Sequence, residues 1–200
     1  MKRIGLYGGS FDPVHHAHLA LARTALEHLA LDQLRWIPAG DPWQKSRKLA
    51  PAADRAAMVA LAIADEPRFV LDRCEIERPG PSFTLDTVRD VKSRHAEAAQ
   101  WFLVVGQDQY GQLTTWRGWR ELLGEVTLAV AARAGVEPTP SAALAAQPHR
   151  AVTLPLPCID ISSSEVRRRV AVREGIADMV PAAVASYIDR HHLYRGHPGS

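Results

Sequence analysis

The run Gly8-Gly9-Ser10-Phe11-Asp12-Pro13-Val14-His15-His16-Ala17-His18 carries residue types and spacings suited to holding phosphate. Paired glycines after an apolar stretch let backbone N–H groups approach phosphate oxygens, and a helix beginning just beyond adds partial positive charge. His15 and His18, three residues apart at that helix start, can turn both imidazoles into one pocket and donate hydrogen bonds to phosphate. Other uses stay open: Gly-Gly serves any tight turn, and His-x-x-His also suits a metal pair or a helix cap. Gly5, Gly8 and Gly9 do not make G-x-G-x-x-G, and no Gly-Lys-Ser/Thr follows, so neither common nucleotide motif holds the phosphates.

A second polar cluster is Ile161-Ser162-Ser163-Ser164-Glu165-Val166-Arg167. Its serines present hydroxyls and N–H groups at a helix start, and Arg167, one turn in, is placed for charge-assisted contacts with phosphate; the same run also reads as a plain capping arrangement. Two more clusters follow apolar runs: the loop 39–48, rich in Gly, Pro and basic residues, and Gly106-Gln107-Asp108.

Strand and helix signals alternate around these clusters. Ile4 to Tyr7 reads as a buried strand closed by Gly8-Gly9, and residues 17–31 as an amphipathic helix. Strand Leu34 to Pro38, a helix opened by Pro51 and ended by Pro67, and strand Phe69 to Leu71 come next. Ser82 is a plausible N-cap for a helix over 82–95, and Trp101 to Val105 reads as a central parallel strand. A short helix over 115–123, strands over 126–131 and 152–154, and helices over 162–172 and 181–192 complete the set, with residues 134–150 as a flexible insertion. This order predicts an α/β fold, a Rossmann-like doubly wound parallel sheet with C-terminal helices, whose ligands sit at the C-terminal strand ends near the switch in strand order. A single domain over 1–195 and a frayed tail over 196–200 are expected.

Composition narrows the partners. The chain has 200 residues, 46% hydrophobic, with 24 basic against 22 acidic side chains and a formal charge of +2, so it is not a nucleic-acid scaffold. Cys74 and Cys158 lack C-x-x-C spacing, which points to neither a zinc knuckle nor a disulfide framework and fits a reducing, cytoplasmic setting. No segment approaches the roughly 20 apolar residues of a membrane span, and Met1-Lys2-Arg3 leads directly into the first strand, so a soluble protein without membrane partners is expected.

Gly8-Gly9-Ser10-Phe11-Asp12-Pro13-x-His15-x-x-His18 resembles the signature of the nucleotidyltransferases that bind ATP through an HxGH motif, with Ala17 in place of its Gly; Ile161 to Arg167 is similar to their ISSTxxR element. Within that superfamily the chain resembles the bacterial nicotinate-nucleotide adenylyltransferases over nearly its whole length. Ser82-Phe83-Thr84-Leu85-Asp86-Thr87 resembles their S-Y/F-T-x-x-T segment, and Gly106-Gln107-Asp108 their G-x-D. Thr115-Trp116 is similar to their substrate-side tryptophan, Ile37 to Lys45 to their loop after the second strand, and Pro181 to Tyr194 to their closing helix. Arg117 stands where some members carry an aromatic residue.

The resemblance implies transfer of the adenylyl group of ATP to nicotinate mononucleotide, with Mg²⁺ carried by ATP and no metal site in the protein. His15, His18, Lys45 and Arg167 are then the catalytic candidates. Gly8, Gly9, Ser10, Phe11, Gly106, Asp108, Ile161, Ser162 and Ser163 join them around ATP, Asp108 at the ribose hydroxyls because a carboxylate accepts two hydrogen bonds. Ser82, Phe83, Thr84, Trp116 and Arg133 would take the acceptor nucleotide, the indole stacking on a flat pyridine and Arg133 meeting its carboxylate or phosphate. Competing readings are nicotinamide-mononucleotide or phosphopantetheine adenylyltransferase and a nucleotide-binding sensor without catalysis. Whether copies of the chain form a homo-oligomer is left open.

Overall fold

A computed structural model describes residues 1–40, 49–95, 99–133, 135–157 and 159–195. Its strands are β1 (Lys2–Gly9), β2 (Gln33–Pro38), β3 (Phe69–Leu71), β4 (Ala99–Gly106), β5 (Thr127–Arg133) and β6 (Ala151–Leu156), paired in parallel in the order β3-β2-β1-β4-β5-β6. The chain moves outward from β1 through β3, then returns to the other side of β1 with β4. That reversal splits the loops above β1 and β4 and opens a crevice where such sheets take ligands. Rossmann-like doubly wound topology is therefore what the chain adopts.

The helices are α1 (His16–His28), α2 (Ala52–Ile63), α3 (Cys74–Glu77), α4 (Thr84–Ser93), α5 (Gln107–Gly111), α6 (Trp119–Glu125), α7 (Ala142–Ala145), α8 (Ser163–Ala171) and α9 (Ala182–Arg190). Strand residues alternate between the two faces, and each face has its own core. Tyr7, Phe102 and Val104 pack with Leu19, Leu26, Val59, Val166, Val184 and Ile188 on one side. Ile4, Leu6, Leu103, Val105 and Val130 pack with Leu85, Val88, Trp119 and Leu122 on the other. Continuous apolar runs in β1, β4 and β5 follow from this double burial.

Several sequence expectations need correction. Ser82 does not cap α4: Phe83 occupies the N-cap without a side-chain hydrogen bond, and the Ser82 hydroxyl accepts from Arg78 Nη1 at 3.0 Å. Arg78 also donates to Thr87 Oγ1 at 3.0 Å, so a guanidinium pinning two hydroxyls takes the serine away from the helix start. The helix expected over 115–123 is broken into a 3₁₀ turn, Leu113–Thr115, and α6, with Trp116 in extended backbone between them and Gly118 left-handed at φ 69°. A Cβ at Gly118 would press into the Leu85 side chain, so the close approach of this loop to α4 also requires glycine. The described residues of the expected insertion are ordered around α7, which Ser141 caps and whose Leu144 is fully buried. Gly106-Gln107-Asp108, the polar cluster after the β4 run, turns straight into α5. The tail 196–200 lies outside the described residues.

Candidate active site

The turn from Gly8 to His18 joins β1 to α1 at the switch point. Phe11 adopts a left-handed φ of 45°, a conformation costing a non-glycine residue on the order of 1 kcal/mol or more. Packing holds it there: its ring is buried edge-on to Tyr7 at 5.3 Å, against Trp36 at 5.2 Å and edge-on to His18 at 5.1 Å. This aromatic stack is the floor on which the His18 imidazole rests. Gly9 lies close beside it: a Cβ there would lie 3.0 to 3.3 Å from the Phe11 ring, closer than ordinary contact. Gly8 differs: among the described residues a Cβ there would meet no atom closer than Ile37 O at 4.0 Å, which leaves room on that side for a ligand.

His15 is the N-cap of α1 and its ring stacks on His18 with centroids 3.7 Å apart. The His15 N–H donates to His18 Nδ1 at 3.2 Å. A neutral His18 that accepts at Nδ1 carries its proton on Nε2, which makes that nitrogen the donor. His15 is only 5% exposed, and its Nδ1 is buried with no hydrogen-bond partner among the described residues. Burial first, and the neighbouring His16 second, lower its pKa from 6.5 to about 4, so the ring is neutral at ordinary pH. An unpartnered buried nitrogen of this kind costs about 1–3 kcal/mol, which a ligand contact would offset.

The start of α8 lies directly against this turn. Ser162 caps α8 by accepting from the Glu165 N–H at 3.2 Å, Ser163 Oγ donates to the Pro13 carbonyl at 2.9 Å, and Arg167 Nη1 donates to the Asp12 carbonyl at 2.7 Å. Arg167 Nη2 donates to Ser164 Oγ at 3.0 Å. All three serine hydroxyls are thus engaged within the protein. What this segment offers an anion is the N–H groups of the first helical turn and the Arg167 guanidinium. Ile161 packs at the edge of the first core. Clusters some 150 residues apart in sequence are brought into contact here.

Sequence reasoning did not single out the charges that hold this arrangement. Arg55, 2% exposed, donates from Nη1 to Ser10 O at 2.9 Å, from Nη2 to Gly40 O at 2.9 Å and from Nε to Ala50 O at 3.0 Å. It therefore ties the turn to both stems of the segment between β2 and α2. The signal was present: Arg55 falls on the buried stripe of α2 with Val59 and Ile63, where a charge must find partners. Asp12, with no exposure at all, accepts at Oδ1 from the Tyr194 hydroxyl at 2.7 Å and from the Ala50 N–H at 3.2 Å. Lys45 lies outside the described residues.

Two further groups sit at neighbouring strand ends. Asp108, in the first turn of α5, and Arg133, the last residue of β5, line one hollow of about 780 Å³ with Ala131, Leu156 and Asp160. Gln107 closes one side of it, donating to Thr139 O at 2.9 Å and accepting from Thr139 N at 3.1 Å. At Gly106, the end of β4, a Cβ would meet among the described residues only Gln109 Oε1, at 3.9 Å. On the opposite face, Thr84 opens α4, Trp116 packs against the second core, and the exposed Arg117 guanidinium lies 4.6 Å above the Phe83 ring. Among the described residues no group of three or more His, Cys, Asp or Glu side chains could hold a metal ion. No helix among them is long and apolar enough to cross a membrane.

Residues 6–169 match the cytidylyltransferase-like family. A protein of Methylibium petroleiphilum, named "Probable nicotinate-nucleotide adenylyltransferase", is 56% identical over 96% of this chain and 92% of its own. The chain belongs to the nicotinate-nucleotide adenylyltransferases. A relative of the same name from Bordetella petrii is 46% identical over 98% of this chain and the whole of its own length. The family's fold is also seen in solved structures at low identity. A nicotinic acid mononucleotide adenylyltransferase of Plasmodium falciparum complexed with NaAD superposes with a TM-score of 0.76 at 20% identity, covering 97% of this chain and 98% of that one. The same enzyme complexed with APC gives 0.77.

Proposed function

We propose that this adenylyltransferase family member transfers the adenylyl group of ATP to nicotinate mononucleotide, forming nicotinate adenine dinucleotide and releasing pyrophosphate. The contact between the histidine turn and α8, through Ser163 to Pro13 and Arg167 to Asp12, carries the reading on the structural side. Displacement at a phosphate calls for hydrogen-bond donors and positive charge around one crevice, and this contact supports assigning those roles to the two histidines and Arg167.

An oxygen of the mononucleotide phosphate forms a bond to the α-phosphorus of ATP, in line with the departing bridging oxygen. The bond to that oxygen breaks, and pyrophosphate takes the electron pair. No side chain becomes covalently attached. His18, donating from Nε2, stabilises charge growing on the α-phosphate oxygens, and His15 supplies the second contact. Ser10, Phe11 and the glycines form the cradle, and Lys45 and Arg167 hold the outgoing pyrophosphate. Gly106 lets the nucleoside approach β4, with Asp108 at the ribose hydroxyls and Ile161, Ser162 and Ser163 completing the ATP site at the start of α8. Ser82, Phe83, Thr84, Trp116 and Arg133 receive the acceptor. Mg²⁺ arrives as part of the ATP substrate, held by the triphosphate itself. A metabolic enzyme of this kind belongs in the cytoplasm.

Pyrophosphate release measured with ATP and, in turn, nicotinate mononucleotide, nicotinamide mononucleotide or phosphopantetheine tests the reading. Turnover greatest with nicotinate mononucleotide is expected. Preference for either of the others overturns the acceptor, and ATP binding without release from any of them overturns the enzyme.

A further inference from the structure

The segment before α6 meets the start of α4 at two points: the Arg117 guanidinium lies 4.6 Å above the Phe83 ring, and the left-handed Gly118 is pressed close to Leu85. Neighbouring cations on this face are paired with acids. Arg78 meets Asp90 at 3.4 Å, Arg89 meets Glu121 at 2.7 Å and Lys92 meets Glu125 at 2.6 Å. Arg117 is exposed and has no carboxylate or carbonyl partner among the described residues. Glu121, four residues on, would be its partner along a continuous helix, but Gly118 breaks the run and Arg89 takes the carboxylate. A ring contact holds a guanidinium while using none of its five N–H donors on an acceptor. Its planar fork thus stays available for a two-pronged pair with a carboxylate from outside the chain.

We infer that Arg117 sets the specificity for the acceptor: its guanidinium meets the carboxylate of a pyridine ring stacked on Trp116, where a neutral carboxamide gains less. The inference rests on the adenylyl-transfer reading for what binds beside Trp116. Arg133, the other arginine assigned to the acceptor, lines the hollow at the end of β5 together with the carboxylates of Asp108 and Asp160. Arg117 is the cation without an acid next to the indole in sequence, at a position where some members of the family carry an aromatic residue.

Full-length Arg117→Gln is compared with Arg120→Gln, the matched control, because the Arg120 guanidinium lies 4.4 Å above the ring of Trp119 on its own helix. For each chain kcat and KM are measured with nicotinate mononucleotide and with nicotinamide mononucleotide, alongside thermal unfolding. Arg117→Gln is expected to lower kcat/KM for nicotinate mononucleotide about ten-fold, through KM, the scale of a hydrogen bond between charged groups. KM for ATP and kcat/KM for nicotinamide mononucleotide should stay within about two-fold. The ratio of the two specificity constants then falls about ten-fold, whichever acceptor the unsubstituted chain favours. Arg120→Gln should leave that ratio unchanged, and Arg117→Lys, which keeps the charge without the fork, should restore part of it. Equal losses with both acceptors, or an unchanged ratio in Arg117→Gln, overturn the inference.

Salt gives a second readout. The two acceptors share their phosphate, so its salt dependence cancels in the ratio. Raising ionic strength should lower the ratio in the unsubstituted chain and leave it flat in Arg117→Gln. If Arg117→Gln does not fold, the salt series on the unsubstituted chain decides, and a flat ratio there overturns the inference. If the unsubstituted chain releases no pyrophosphate with either acceptor, the adenylyl-transfer reading fails. Calorimetric affinity for nicotinate mononucleotide then decides the arginine: a loss of about ten-fold in Arg117→Gln sustains it, and equal affinities or no binding overturn it.

Discussion

The His15 main-chain N–H donates to Nδ1 of His18 at 3.2 Å while the two rings stack at 3.7 Å, so one residue sets both the tautomer and the plane of the other. The donor left to act is Nε2 of His18. Replacing His18 with Ala should lower kcat by about 100- to 1,000-fold, the scale for losing a preorganised charge stabiliser, with an unchanged circular dichroism spectrum. His18→Gln places an amide N–H near the position of Nε2, whereas His18→Asn restores only a group near Nδ1. Gln should therefore retain more turnover than Asn, and the reverse order would remove Nε2 from the chemistry.

His15 gives a pH prediction. Its pKa is lowered to about 4 in the folded chain against 6.5 unfolded, so between those values the unfolded state binds a proton that the folded state refuses. The stability this contributes is fully present above pH 6.5 and is lost as pH falls toward 4. At about 1.4 kcal/mol per pH unit, the loss attributable to His15 is on the order of 3 kcal/mol. His15→Gln should show a correspondingly smaller fall in urea-unfolding free energy between pH 7 and pH 4 than the unsubstituted chain. Identical falls would show that His15 does not titrate this way.

Arg55 supplies the third. Its guanidinium is the donor for the carbonyls of Ser10, Gly40 and Ala50. Arg55→Met keeps the stem but strands those acceptors out of water, at about 1–3 kcal/mol each. A loss of at least about 3 kcal/mol in urea unfolding at constant m-value is expected, with reduced turnover in the protein that remains folded. A change under 1 kcal/mol would mean that water reaches these carbonyls.

How far such features show in the sequence depends on the range of the interaction behind them. The β4 run from Trp101 to Val105 is legible because a strand covered on both faces must be apolar throughout, and Ser162 is legible because it caps its own helix at Glu165. Ser82 carries the same local signal but loses it to Arg78, whose partners depend on how α3 and α4 meet. The helices α5 and α7 span five and four residues, too few for a hydrophobic period to appear. Trp116 reads as helical because Leu113, Trp116 and Trp119 fall at helical spacing, but the left-handed Gly118 breaks the run. The candidate histidines and Arg167 can be named once their spacing is joined to the resemblance of the two motifs that carry them. That Asp12, Arg55 and Tyr194 tie the turn to α2, to the Ala50 stem and to the C-terminal region cannot be, since those contacts join residues from 38 to 182 positions apart.

The two glycines of the turn separate binding from folding. At Gly9 an added methyl would enter the Phe11 ring at 3.0 Å, and that ring cannot retreat because Tyr7 and Trp36 stand behind it. Gly9→Ala should thus cost about 1–3 kcal/mol in thermal or urea unfolding, the range for overpacking a core. At Gly8 the same methyl would meet, among the described residues, nothing closer than Ile37 O at 4.0 Å, and the backbone there has no positive φ. Alanine narrows the unfolded ensemble, so Gly8→Ala should leave the unfolding midpoint unchanged or raise it slightly. If a triphosphate lies against β1, that methyl occupies its space, and ATP affinity measured by calorimetry should fall at least ten-fold in a chain as stable as the original. A stable Gly8→Ala protein with undiminished ATP binding would place the phosphates elsewhere along the crevice.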